Sequence, residues 1–442
     1  MSTVVKNGTL EQDKSQWFKY LLFGIQHALV IVAVPITSVF LVAKALSLSD
    51  QLTVNLMSAT FLVCGLGTLL QSIGPYKFGA RLPFVMIPGG APIVMFLGIA
   101  QEKDLATASG AVILTSLFYF LVLPIFKRFL RFFPNIVIGT LLILVSINLI
   151  KIYGGLVVGK PDTANFASTL NIGLAFATIA ASLFFARVLK GTLSQLSILL
   201  GLICGTILSA CLGQMHFAAT YQAAIFSFPT LMPFGIPKFD LVATIPLLIF
   251  SLISMVEATG QTITISELVG KNDTALERVP STIRGDALIS LLGGGLGTSM
   301  IITSGENIGI VRATQIRSRC VTIVAGIILL IISVFTPLAH LANAIPVAVV
   351  SGTAIIVFSI IGTIGIDILR RVDLHEKGNM YVLACALTMG LLPILVNGLY
   401  ANFPHAIQPI LNNGLAMGAL TAIILNIVFN THSHTNTYQE SK

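Results

Sequence analysis

Apolar runs long enough to cross a bilayer recur along almost the whole chain, and no other feature restricts its fold so strongly. Residues 134–157, 170–189, 194–213, 319–338, 344–369, 380–397 and 408–430 each meet or approach the roughly 20 apolar residues that a helix needs to span the hydrocarbon core. Stretches at 17–45, 53–74, 107–126 and 240–270 do the same. Two shorter stretches, near 83–100 and 286–316, are broken by Gly and Pro. Only 10% of the 442 residues are charged, against about a quarter in a soluble domain. The reading is an all-α polytopic membrane protein with roughly 12 to 14 membrane segments.

Residues 1–16 are polar and lack an apolar h-region, so no cleavable leader is expected. They read as a cytoplasmic tail, 17–430 as a single membrane domain and 431–442 as a second cytoplasmic tail. The net charge of +8 fits basic loops on the cytoplasmic side rather than nucleic-acid binding. Lys77 and Arg81, Lys127, Arg128 and Arg131, Arg187 and Lys190, Arg317 and Arg319, and Arg370, Arg371 and Lys377 fall on one side when helices are drawn between them. With an even helix count both termini are cytoplasmic, in a plasma (inner) membrane. The five cysteines are scattered through apolar segments without metal spacing, so no metal and no cofactor is expected. The longest polar stretch, 270–286, reads as a loop. There is no Ser/His/Asp constellation, no HExxH and no glycine-rich phosphate loop, so the chain is not read as an enzyme.

The irregular segments carry the information. GARLPFVMIPGGAPIVMFLGIA (79–100) holds prolines and a Gly-Gly pair, and 287–314 has glycines at 293, 294, 295, 297, 305 and 309. Neither can be one continuous regular helix. Non-helical backbone at membrane depth survives only where it is buried in protein or lines a cavity. Secondary transporters place such breaks in corresponding positions of two inverted halves, with substrate between them.

Three ionisable residues sit inside apolar runs, where a charge is costly and usually marks a substrate or ion path. Glu257 lies deep in 246–270, and Ser254, Glu257 and Gln261 share one helical face. Glu306 follows the second break; it either binds an N–H-bearing ligand or caps the helix beginning near Asn307. His27 lies early in the first helix, as a packing residue or as part of the same polar centre. Because burial disfavours the charged form of a carboxyl, two such acids and a His make a proton-coupled site plausible chemistry.

These residues resemble a known family. Glu306-Asn307-Ile308-Gly309 with Thr314, continuing to Ser318-Arg319, is similar to the signature of the nucleobase–ascorbate transporter family, also called nucleobase–cation symporter family 2. Val256-Glu257-Ala258-Thr259-Gly260 resembles its acidic substrate-binding motif, and Gln26-His27 the QH pair of its first helix. Gly79–Val85 resembles the stretch opening the third segment, and Arg284-Gly285-Asp286 the lead-in to the ninth. The resemblance runs from about 17 to 430. It implies fourteen segments in two inverted repeats of seven, core and gate domains, and short strands in segments 3 and 10 with substrate between them. It also implies a homodimer, and a nucleobase carried with a cation, expected to be H⁺. Carried over, Glu257 hydrogen-bonds the base and Glu306 makes a second carboxyl contact or holds His27. Backbone near Gly89, Gly90 and Gly305 completes the site, with Asn307 and Gln261 beside it. Proton coupling falls to Glu257, Glu306 and His27. A shift of two residues would put Ala91-Pro92 in place of Gly89-Gly90. Gln261 stands where members often have Asp or His, which leaves coupling more to Glu257.

On substrate the resemblance divides. Glu306 in ENIG form is similar to uracil-type members, whereas VEATG and the later SEL-VG resemble xanthine and urate members. A purine, xanthine or urate, is favoured slightly over uracil. The rival of another class is an inorganic anion exchanger or channel on the same type of fold, which would bind its ion at helix N-termini.

Overall fold

The computed structural model describes residues 14–126, 134–159, 166–215, 226–304, 311, 317–335, 337, 344–396, 398–404 and 407–430. In the first half, α1 (Lys14–Ala45) and α2 (Asp50–Ile73) precede strand β1 (Met86–Pro88) and α3 (Gly90–Glu102). Then come α4 (Leu105–Val122), α5 (Asn135–Val158), α6 (Thr169–Val188) and α7 (Ser197–Cys211). The second half holds α8 (Leu241–Leu268), α9 (Ala275–Gly295), β2 (Ile301–Thr303) and α10 (Arg319–Val334). It ends with α11 (Val347–Leu369), α12 (Lys377–Leu395) and α13 (Gly414–Asn430). Among the described residues, eight helices are long and apolar enough to cross a membrane, with four shorter apolar helices beside them.

Helix α1 starts at Lys14, with its membrane-crossing stretch from Tyr20. One sequence expectation needs correction. The polar stretch 270–286 is not a loop: α9 already runs from Ala275. Its polarity misled because Val279, Thr282, Ile283 and Asp286 turn inward and are buried together, so an amphipathic helix end imitated a linker. The helix also continues through Gly293, Gly294 and Gly295 and breaks only beyond them.

Local chemistry explains the element ends. The Ser49 hydroxyl accepts from the Leu52 N–H to start α2, and Asp240 accepts from Val242 and Ala243 to start α8. Gly74, left-handed at φ 62°, stops α2. Inside the helices, the hydroxyls of Thr60, Thr115, Ser116 and Thr140 donate to the carbonyl one turn back, so they need no water.

Packing sorts the helices into two interleaved sets. One set has α2 on α10, α9 on α4 and α8, α3 on α4 and α8, and α1 on α10. The other has α5 on α11, α12 on α13 and α6 on α7. Close approach of α5 and α11 depends on facing glycines: a Cβ on Gly139 would stand 2.9 Å from the Gly365 carbonyl, and one on Gly365 2.8 Å from that of Gly139. Small residues at such crossings let helix backbones touch where lipid offers no hydrophobic drive.

The strands lie inside the first set. They pair antiparallel, with Met86 opposite Thr303, Ile87 opposite Ile302 and Pro88 opposite Ile301. A two-stranded ribbon leaves backbone groups unpaired, and helix side chains take them. Thr68 Oγ1 accepts from the Met86 N–H. Ser290 Oγ accepts from the Ile301 N–H and donates to its carbonyl.

Candidate functional site

The break at β1 aims a helix end at the interior. Gly89 is the last extended residue and Gly90 the first of α3, and no side chain caps that helix. Among the described residues the N–H groups of Gly90 and Ala91 are therefore unspent, at the positive end of the helix dipole, and Pro92 has none. Ala91 and Pro92 lie buried in the first turn, so Gly89-Gly90 form the junction itself. A Cβ on Gly90 would meet Phe358, Ile361 and Leu149 at 3.2–3.4 Å. Those residues belong to α11 and α5, so the junction faces the second helix set. Opposite it, Tyr153 and Phe358 stack with ring centroids 5.5 Å apart, and the Tyr153 hydroxyl donates to the Thr37 carbonyl at 2.8 Å.

Helix α8, packed on α3, brings Glu257 and Gln261 together. Gln261 Nε2 donates to Glu257 Oε1 at 3.1 Å. The shared face expected from their spacing is therefore a bonded pair. Gln261 Oε1 is buried without a hydrogen-bond partner among the described residues. The pair thus presents free acceptors, the amide oxygen and the rest of the carboxyl, beside the second amide N–H of Gln261. Ser254, one turn back, is buried beside Tyr119 of α4.

His27 is buried in α1, with Nδ1 held by the Phe23 carbonyl of its own helix at 2.8 Å. That bond fixes the ring and turns Nε2 away from the helix axis. Among the described residues no hydrogen bond or ion pair joins His27 to Glu257 or Gln261. Gly305, Glu306 and Asn307 lie outside the described residues.

A second polar centre is built on Asp286, which the sequence offered only as part of the Arg284-Gly285-Asp286 resemblance and not as a site residue. Asp286 of α9 is buried and lies within electrostatic range of Glu257. Its Oδ1 accepts from Thr303 Oγ1 at 2.6 Å and from Gln71 Nε2 at 3.0 Å. Gln71 Nε2 also faces the Thr282 carbonyl at 2.9 Å, and its Oε1 accepts from the Ala80 N–H at 3.1 Å. The Thr282 and Thr262 hydroxyls are 2.8 Å apart, and Thr262 donates to the Ala258 carbonyl next to Glu257. One network thus ties α2, the turn before β1, β2, α9 and the Glu257 turn of α8. The available signal was an acid and an amide inside helical faces that are otherwise apolar or hydroxylic.

Among solved structures, the chain resembles the transmembrane domain of a cyanobacterium bicarbonate transporter, BicA, with a TM-score of 0.57 at 16% identity, over 93% of this chain and 97% of that one. It also resembles the murine anion transporter Slc26a9 in its inward-facing state, with a TM-score of 0.58 at 11% identity, over 96% of this chain and 73% of that one. At such identities the likeness shows the fold alone. Sequence relatives are nearer. The xanthine permease of Bacillus subtilis is 29% identical over 94% of both chains. The uric acid transporter UacT of Escherichia coli is 28% identical over 94% of this chain and 87% of that one. The uric acid permease PucK of Bacillus subtilis is 30% identical over 95% of this chain and 97% of that one. With residues 18–399 matching its family model, the chain belongs to the Permease family (Xan_ur_permease).

Proposed function

We propose that the protein imports a purine nucleobase, xanthine or urate, by proton symport. The observation that carries this reading is the Glu257–Gln261 pair, an acceptor-rich corner on a helix packed against α3, whose uncapped N-terminus offers donors. An oxopurine ring carries N–H and C=O groups side by side and matches that arrangement. Glu257 takes ring N–H groups, Gln261 adds an acceptor, and the Gly89-Gly90 junction meets a ring oxygen through the Gly90 N–H, since that of Gly89 is already given to the Met300 carbonyl. Glu306, Asn307 and Gly305 complete the site from the second break. Glu257, Glu306 and His27 carry the coupling proton. The sequence relatives, named for xanthine and uric acid, favour purine over uracil. The inorganic-anion alternative draws support only from fold likeness at 11–16% identity, and a corner led by a carboxylate repels anions.

The interleaved helix sets serve as core and gate, with substrate between them. The chain crosses a plasma membrane in fourteen segments with both termini cytoplasmic, and works as a homodimer. The test is uptake of radiolabelled xanthine, urate and uracil by cells expressing the chain, with and without a protonophore. Uptake of xanthine or urate that collapses with the protonophore is expected. Uptake of uracil alone would overturn the purine assignment, insensitivity to the protonophore the proton, and uptake of no base the whole reading.

A further inference from the structure

Four cations gather where the ends of four helices meet. Helices α2 and α8 end there, at Ile73 and Leu268, and α9 and α10 begin there, at Ala275 and Arg319. Ends of membrane-crossing helices lie at the bilayer surface. Arg81 Nε donates to the Gly74 carbonyl at 3.2 Å, and Arg319 Nη1 to the Ser72 carbonyl at 3.4 Å. Arg278 donates from Nη1 to the Ala80 carbonyl at 2.7 Å and from Nε to Thr274 Oγ1 at 3.0 Å. Three guanidinium groups from three elements thus converge on the segment 72–80. Lys271, in the turn between α8 and α9, completes the group. Partial burial, then the neighbouring Arg278, Arg319 and Arg81, hold its ammonium below the usual lysine range.

Capping does not account for this much charge. The C-terminus of α2 carries about half a negative charge, and Arg81 and Arg319 already sit on it. Among the described residues none of the four cations has a carboxylate within 4.0 Å; the ion pairs all lie elsewhere. Glu277, beside Arg278 in sequence, is the one acid among the described residues in electrostatic range of Arg278. The Lys271 ammonium makes no hydrogen bond among the described residues. Arg81, Lys271 and Arg319 are exposed and Arg278 half-buried, so most of their N–H donors face outward.

We propose that Arg81, Lys271, Arg278 and Arg319 form a binding site for a phosphate-bearing anion, an anionic phospholipid headgroup being the source that the bilayer surface supplies. Guanidinium forks match phosphate oxygens in pairs, and the lysine adds a point charge. The site is also mechanically connected. Arg278 grips the carbonyl of Ala80, whose N–H holds Gln71 and through it Asp286. A bound phosphate therefore braces the turn that leads into β1. The inference does not depend on which base is transported.

The experiment is thermal unfolding of the purified full-length protein in phosphatidylcholine vesicles, with and without phosphatidylglycerol, and separately with inorganic phosphate. Three proteins are compared: the wild type, R81Q/K271Q, which spares the Arg278 and Arg319 bonds, and R370Q/R371Q, which removes basic residues at the far end of α11. Phosphatidylglycerol is expected to raise the midpoint of the wild type and of R370Q/R371Q by about 2–5 °C, and that of R81Q/K271Q by less than half as much. A rise with inorganic phosphate alone, lost in R81Q/K271Q, would keep the site and assign it to a soluble anion. Equal shifts in all three proteins, or no shift with either anion, would overturn the proposal. If R81Q/K271Q does not fold, K271Q alone is read the same way, since the Lys271 ammonium holds no structural bond.

Discussion

Glu257 and Asp286 stand on adjacent helices within electrostatic range of each other, yet the fold treats them differently. Asp286 is buried and fastened: Thr303 and Gln71 both donate to one of its oxygens, and Gln71 is itself tied to the chain on two more sides. Glu257 is half-buried and has one partner among the described residues, an amide on its own helix. The first arrangement spends its polar capacity on joining α2, α9 and β2. The second keeps capacity in reserve on a helix packed against α3, whose N-terminus no side chain caps. Polar groups inside a membrane protein are costly wherever they are, so the contrast separates a carboxyl that holds the site in shape from one available to a ligand.

The largest expected effect tests that separation directly. Asp286→Ala leaves Gln71 and Thr303 without their buried partner and is expected to cost about 2–5 kcal/mol of stability. Glu257→Gln is expected to cost less than about 1 kcal/mol, because the replacement keeps shape and can still accept from Gln261. Thermal unfolding of the purified variants compares them, and equal losses would break the distinction. Next comes Gln71→Leu, which strands the Ala80 N–H and removes one donor from Asp286. About 1–3 kcal/mol is expected, with hydrogen exchange rising around 78–88. Unchanged exchange there would show that the network does not hold the strand turn.

The smallest effect belongs to a third carboxyl, exposed and held by a cation. Asp104 starts α4, accepting from the Thr107 N–H and hydroxyl and from Lys238 Nζ at 2.6 Å. The Lys238 ammonium first, then Thr107, pull it from its ordinary 3.8 down to about 2. Because the folded value is the lower, its contribution is full above about pH 4 and disappears as pH falls toward 2. Asp104→Asn keeps the cap but loses the ion pair, so about 0.2–1 kcal/mol is expected at neutral pH, shrinking to nothing at the acid end. A larger loss would mean that exposed pairs matter more here than the buried network.

How much of this was legible in the sequence follows from distance along the chain. Glu257 and Gln261 are one turn apart in an apolar run, so their spacing alone announced a shared face. Gln71 and Asp286 are 215 residues apart, and no local pattern pairs them. The breaks at 79–100 and 287–314 were readable from Gly and Pro, whereas the register of Met86 on Thr303 was not, because it is fixed by Thr68 and Ser290 on flanking helices. The start of α9 was misread for a related reason. Arg278, Thr282 and Asp286 look like loop polarity until their partners at Ala80 and Gln71 are in view.

The proposed role of the Glu257 carboxylate, receiving the ring N–H of a purine, meets its most direct test in one measurement: uptake of radiolabelled xanthine and urate by Glu257→Gln, normalised to the amount of folded protein in the membrane. Uptake is expected at the background of cells lacking the chain, with the unfolding midpoint of the variant kept near that of the wild type. Uptake at wild-type levels would contradict it and remove Glu257 from the site.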